Sequence, residues 1–250
     1  MSGDQYLNQI IAKYLVDKTG VKAHVGAICL TVRRWAGRFL IGVVYSGSFA
    51  KGTAISLAAD ADVFISLSSR TPCTLRQIHG SLHSALSRAG YRTAKQNVSI
   101  RVTSGGYNID IVPGKRLSQY GNDHSLYKNK TKTWIKTNVR THVKHVANSN
   151  RINEIKLTKI WRELNGLQFP SFYLELAVID CLSGRSRSDL SGNFWEVLGF
   201  LSTDFLTTRY LDPANTNNVI SDDLTFSEKK LVQRAAELAR TEEHWSEIVW

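Results

Sequence analysis

Asp60 and Asp62 stand two residues apart in the run Asp60-Ala61-Asp62-Val63-Phe64-Ile65, and on a strand residues two apart project from the same face. Two carboxylates held side by side repel each other, which raises the pKa of one of them unless a cation intervenes. Oxygen-rich sites of this kind suit hard divalent ions such as Mg²⁺. Upstream, Gly47-Ser48 and Gly52-Thr53 are small, glycine-led turns that can bring backbone N–H groups close to a phosphate. A third acid, Asp110, sits in the alternating run Asn108-Ile109-Asp110-Ile111-Val112-Pro113. A phosphate cradle beside metal-binding carboxylates is the equipment for chemistry on a nucleoside triphosphate. Taken singly, each piece also describes an ordinary turn or a solvated hairpin, so it is their order along the chain that points to chemistry.

The elements that must position these residues follow from periodicity. An amphipathic helix is expected over residues 4–16 and a second over 22–36. A strand over 39–45 leads into the Gly47-Ser48 turn, and a second strand carries Asp60 and Asp62. Thr71-Pro72 opens a helix whose apolar stripe is Leu75, Ile78, Leu82, Ala85 and Ala89, stopped by Gly90. His79 and His83 lie four apart on it, but with no third ligand they read as packing or surface histidines. Val98, Ile100 and Val102 alternate, turn at Gly105-Gly106, and return through Ile109 and Ile111, which puts Asp110 on a strand able to meet the Asp60/Asp62 strand. Pro113-Gly114 is expected to close this first lobe, and residues 121–130 to be a polar loop. From Thr131 the pattern reads as helical. A helix over 131–147 would carry Ile135, Val139, Val143 and Val146 on one face and the basic stripe Lys132, Lys136, Arg140 and Lys144 on another. Further helices are expected over 153–165, from Pro170-Ser171, around 194–201 and from Ser227, with a turn-rich loop over 211–219.

Composition narrows the classes. At 250 residues the chain suits one large domain or two lobes sharing a core. No apolar run approaches the ~20 residues that span a bilayer, and the N-terminal stretch lacks the basic start and apolar core of a secretory signal. A cytoplasmic protein without membrane attachment is the expectation. Cys29, Cys73 and Cys181 are odd in number and lack zinc-ligand spacing, so they read as reduced thiols with no catalytic part. The net charge is +11, and it is unevenly placed. Between Val63 and Arg151 there are fifteen Lys and Arg against two acids, Asp110 and Asp123. Such a distribution suits polyanionic substrates, although a solvated basic face for solubility would look the same.

The ordered set Gly47-Ser48, Gly52-Thr53, Asp60-x-Asp62 and Asp110 resembles the polymerase-β-like nucleotidyltransferase superfamily. Lys156-Leu157-Thr158-Lys159-Ile160-Trp161, followed by Ser171-Phe172-Tyr173-Leu174-Glu175-Leu176, is similar to the second lobe of three of its groups. These are the oligoadenylate synthases, the cyclic GMP-AMP synthase-like bacterial enzymes and the archaeal-type CCA-adding enzymes. The loop Asp212-Pro213-Ala214-Asn215-Thr216-Asn217-Asn218-Val219 resembles one in the oligonucleotide synthases. The resemblance implies an α+β fold, with a nucleotidyltransferase palm of mixed sheet and flanking helices over 1–116 and a helical lobe over 117–250.

It also implies roles. Asp60, Asp62 and Asp110 would hold two Mg²⁺ ions, with Mn²⁺ as a substitute. Gly47 and Ser48 would hold the triphosphate, Lys159 and Ser171 its β- and γ-phosphates, with Lys156 the alternative lysine. Phe172 or Tyr173 would stack on the donor base. The implied enzyme is a monomer of the cytoplasm that joins NTPs into a short linear or cyclic oligonucleotide messenger and releases pyrophosphate, a chemistry associated with antiviral defence. The alternative is a terminal nucleotidyltransferase on RNA or tRNA, which leaves RNA as an acceptor or an activator. A non-enzymatic binding module is disfavoured because all three carboxylates are present.

Overall fold

The computed structural model describes residues 1–17, 19–58 and 60–250. In chain order the elements begin with α1 (Gly3–Lys13), α2 (Thr19–Ala36), β1 (Leu40–Tyr45), the short α3 (Gly47–Lys51) and β2 (Ala61–Leu67). Then come α4 (Leu75–Arg88), β3 (Arg92–Lys95), β4 (Ile100–Ser104), β5 (Tyr107–Arg116), β6 (His124–Lys128) and β7 (Thr133–Thr137). The remainder is α5 (Val139–Ala147), α6 (Ile152–Leu164), α7 (Ser171–Cys181), α8 (Leu190–Ser202), β8 (Leu211–Asp212), β9 (Asn215–Val219), α9 (Phe226–Ala239) and α10 (Trp245–Ile248). The chain packs as two compact units. A sheet unit comprises Asp17–Lys51 and Ala59–Val143, and a helical unit Met1–Val16, Gly52–Ala58 and Lys144–Trp250.

In the sheet unit the strand order is β1-β2-β5-β4-β3, with β6 paired to β5 and β7 to β6. The sheet is mixed because β2 and β5 run parallel while the other pairs are antiparallel. Its register sets Asp62 opposite Asp110 across the parallel pair, and Arg101 of β4 opposite Asp110 on the other side. Ala61, Val63, Ile65, Ile109 and Ile111 are buried, the alternation a sheet with one covered face requires. The covering layer is α2 and α4, which pack on each other and on the strands. They bury Val21, Val25, Ile28 and Val32 from one helix and Ile78, Leu82 and Leu86 from the other. Helix α4 starts at Thr74, not at Thr71, because Thr74 and Gln77 close a reciprocal capping box.

Several sequence expectations differ from what forms. Asp60 immediately precedes β2 and is not part of it. The expected closure at Pro113-Gly114 lies inside β5, which continues to Arg116. Strand β4 pairs no further along β5 than Ile111, and β6 joins only at Lys115, so the N–H that Pro113 lacks is not needed on that side. The expected loop over 121–130 contains β6, and β3 was not foreseen. The expected helix over 131–147 is strand β7 followed by α5. Thr131, Thr133, Trp134, Ile135 and Thr137 are β-branched or aromatic, and pairing with β6 decides the matter in favour of a strand. The four-lysine-and-arginine helix stripe therefore does not exist as one face. Lys132 lies in the β6–β7 turn at φ +58°, and Lys136 on β7 pairs with Asp123 at 3.5 Å.

The helical unit has its own core. Trp161 of α6, Tyr173 and Leu174 of α7, Phe194 and Leu198 of α8, Phe205, and Val232 and Ala236 of α9 are buried together, with Leu7, Ile10 and Ile11 of α1. Helix α7 is buried from Tyr173 to Val178 and apolar there except for Glu175, as suits a helix enclosed by others. Residues 211–219, expected as a turn-rich loop, form the β8–β9 hairpin. The packing thus groups the chain differently from a single division between residues 116 and 117. Strands β6 and β7 complete the sheet, and α1 joins the helices. Among the described residues, no helix is long and apolar enough to cross a membrane.

Candidate active site

Strand β1 ends at Tyr45, and the Ser46 N–H donates to the Asp62 carbonyl at 2.8 Å, which ties the turn to the start of β2. Gly47 follows at φ +54° and begins α3, which contains Ser48. A Cβ at Gly47 would lie inside the van der Waals radius of the Asp62 carboxylate. Glycine is required there twice over, for its left-handed backbone and for the room it leaves beside Asp62. Gly47, Ser48 and Asp62 therefore share one corner of the sheet unit.

The acids are brought together by a residue that the sequence reading missed. Arg101 donates from Nε to Asp110 Oδ1 at 3.0 Å and from Nη2 to Asp110 Oδ2 at 2.8 Å. The same Nη2 donates to Asp60 Oδ2 at 2.8 Å. The hydrogen bond to Asp110, with the charges of Asp110, Asp60 and Asp62 behind it, holds the guanidinium well above its usual range and so firmly charged. The signal was available: Arg101 lies four residues before Gly105 and Asp110 four after Gly106, so a two-residue hairpin makes them cross-strand partners.

Among the described residues, no group of three His, Cys, Asp or Glu side chains stands around a single metal position. The chemistry of the donors nonetheless fits a hard divalent cation: carboxylates on neighbouring strands at Asp62 and Asp110, and a cationic group already shared between Asp60 and Asp110. The ion implied by the resemblance would be held by Asp60, Asp62 and Asp110.

Lys159, Ser171 and Phe172 belong to the helical unit. Lys159 is buried and donates to Glu175 Oε1 at 2.6 Å and to Thr53 Oγ1 at 2.9 Å, while Thr53 Oγ1 donates to Glu175 Oε1 at 2.8 Å. Thr53, expected to line a phosphate cradle with Gly52, is thus part of a sealed ion-pair cluster. Ser171 opens α7, and its Oγ accepts from Arg162 Nη1 at 3.0 Å. Phe172 packs half-buried against the core, and Tyr173 is wholly inside it. Tyr173 is thereby excluded as a stacking platform.

Other titratable groups read as structural. His79 is buried with Nε2 3.3 Å from the Ser99 carbonyl, and burial is the main cause of its lowered pKa, with Lys95, His83 and Lys132 adding to it. Burial likewise lowers His124, which sits between Ser66 Oγ at 2.8 Å and the Asn122 carbonyl at 2.7 Å. Burial pushes the Cys181 thiol up to about 11, which keeps it protonated and inert.

No protein-family model matches the chain, and no curated protein matches it. Solved structures do. The chain is similar to CdnC of E. coli MS115-1, solved with ATP, at 22% identity and TM-score 0.73, over 94% of this chain and 89% of that one. It is similar to the CD-NTase CdnG of Bradyrhizobium diazoefficiens, solved with GTP, at 14% identity and TM-score 0.74, over 96% and 93%. The Cid1 poly(U) polymerase matches at 12% identity and TM-score 0.69, over 96% and 95%. The chain has the polymerase-β-like nucleotidyltransferase fold.

Proposed function

We propose that this protein is a nucleotidyltransferase that joins NTPs into a short linear or cyclic oligonucleotide and releases pyrophosphate. The observation that carries the reading is Asp62 set opposite Asp110 across the β2–β5 pair, with Gly47 against Asp62 and Asp60 linked to Asp110 through Arg101. Similarity to CdnC and CdnG supports it. Asp60, Asp62 and Asp110 would hold two Mg²⁺ ions, or Mn²⁺ in their place. When bound, such ions stabilise the entering and departing oxygens of an in-line displacement. The protein's own share is positioning: Gly47 and Ser48 lie against the triphosphate, and Asp110 is the carboxylate nearest the acceptor hydroxyl. Lys159 and Ser171 are assigned to the β- and γ-phosphates and Phe172 to the donor base. That assignment requires Lys159 to exchange Glu175 for phosphate oxygens. The enzyme is read as a cytoplasmic monomer, with a place in antiviral defence.

A second reading, terminal transfer to RNA, is favoured by charge. The sheet unit has nineteen Lys and Arg against five acids, and the helical unit thirteen against sixteen. Part of the excess gathers at one place. Asn97 accepts from the N–H groups of Asn129, at 2.6 Å, and Lys130, at 3.1 Å, which pins the β6–β7 turn to the β3–β4 turn. Lys95 ends β3, Lys128 ends β6, Lys130 and Lys132 lie in the β6–β7 turn, and Trp134 of β7 is exposed, a pattern suited to a single-stranded backbone with bases stacked on the ring. Incubation with the four labelled NTPs, with and without RNA, decides. Small products formed without RNA support the messenger reading, and label found only on extended RNA replaces it with the second.

A further inference from the structure

Arg101 is neither a metal ligand nor a core residue. It is placed by the β4–β5 ladder directly opposite Asp110, so its side chain reaches Asp110 with both edges of its fork and has one nitrogen left for Asp60. A guanidinium satisfies in this way the same oxygens that a divalent cation needs. It cannot vacate them by losing a proton, because arginine stays charged at any working pH. It can only swing away, and for that it needs another anion. A triphosphate offers oxygens that match the fork as well as a carboxylate does.

We propose that Arg101 is a positioning residue that holds Asp60 and Asp110 in the ligand-free protein and yields them when a nucleoside triphosphate arrives, so that divalent-ion binding is coupled to nucleotide binding. The proposal rests on the nucleotidyltransferase reading. It explains how Asp60 and Asp110 can be held close before an ion binds: part of their charge is neutralised by a covalently attached cation, which costs no search for a ligand. It also predicts an order, in which bare ions bind poorly and ion with nucleotide binds well.

The test is Mn²⁺ affinity, read from the free-ion EPR signal, for wild type, Arg101→Gln and Arg101→Lys, each alone and with a non-hydrolysable ATP analogue. Without nucleotide, Arg101→Gln should bind Mn²⁺ on the order of tenfold more tightly than wild type, since competing charge-assisted hydrogen bonds are gone. The analogue should tighten Mn²⁺ strongly in wild type and much less in Arg101→Gln. Arg101→Lys, which keeps the charge but loses the fork, should fall between them. A mere strut would give the opposite result, weaker ion binding when the residue is removed, and that outcome or unchanged affinity overturns the proposal. Should Arg101→Gln fail to fold, wild type still decides, because equal Mn²⁺ affinity with and without the analogue overturns the coupling. No Mn²⁺ binding by any of the three proteins in either condition overturns the nucleotidyltransferase reading as well.

Discussion

Two ion-pair clusters of this molecule invite comparison. In the sheet unit, Arg101 bridges Asp60 and Asp110, whose side chains are 45% and 16% exposed, and is itself 34% exposed. In the helical unit, Lys159 and Glu175 are 2% and 1% exposed, and the Thr53 hydroxyl hydrogen-bonds to both. Both join a base to acids over less than 3 Å. They differ in what breaking them would cost. A pair open to water exchanges one partner for a solvent molecule or an incoming ion at little loss. A sealed pair cannot lose one partner without leaving a bare charge in a medium that hardly solvates it. The open cluster is therefore the easier of the two to break, and Lys159 could trade Glu175 for a phosphate only at a far larger cost. The resemblance gave Lys159 a phosphate to bind, and its surroundings give it a carboxylate.

The largest expected effect falls beside the open cluster, at the acid set opposite Asp110 across β2 and β5. Asp62→Asn should lower nucleotidyl transfer by roughly a thousandfold, about 4 kcal/mol of lost charge stabilisation. Its metal-free melting temperature should stay level or rise slightly, because one of several like charges is gone. A marked fall in melting temperature would mean that Asp62 supports the fold and not the chemistry. Next, Glu175→Ala should cost about 3–5 kcal/mol in urea unfolding, the penalty for a stranded buried charge. The double variant Lys159→Met with Glu175→Leu should regain most of it. The same samples test the phosphate role: Lys159→Met alone should weaken NTP binding by about tenfold if the ammonium reaches the triphosphate, and an unchanged Kd would return the assignment to Lys156.

Gly47→Ala should follow at about 1–3 kcal/mol, the cost of a strained left-handed backbone, with a loss of turnover as the new methyl displaces the Asp62 carboxylate. Normal stability and turnover would show that the corner has slack. The smallest effect concerns pH. Burial lowers the folded pKa of His79 and His124, so between the folded value and the unfolded one near 6.5 the unfolded chain binds more protons. Their contribution is fully present above about pH 6.5 and declines as pH falls below it. Urea midpoints between pH 7.5 and 5 should show the decline, and His124→Gln should flatten it.

Much of this was legible in the sequence where one residue type has one use. Gly47 at a positive φ, alternation around Asp62 and Asp110, and the Gly105-Gly106 hairpin needed no tertiary knowledge. Strand β7 was not legible, because Ile135, Val139, Val143 and Val146 fit a helical stripe whether or not β6 is there to pair with. Nor were the surroundings of Lys159, since a lysine three residues from another reads alike whether its ammonium meets phosphate or a glutamate sixteen residues on. Arg101 lay between these cases: visible through hairpin register, yet invisible to a search for metal ligands, which passes over cations.

One consequence of the interleaved units concerns the ribosome. Helix α1 is made well before α6, α8 and α10, on which it packs, and the Tyr6 hydroxyl bonds to the Val249 carbonyl, 243 residues later. At about 5–20 residues per second, Leu7, Ile10 and Ile11 wait tens of seconds for their neighbours, while residues 17–51 and 59–143 can already close on themselves. The growing chain thus carries the apolar face of α1 without its partners until α6, α8 and α10 have been made. A chain stopped before α10 leaves part of that face bare, a ready target for proteases that clear incomplete products.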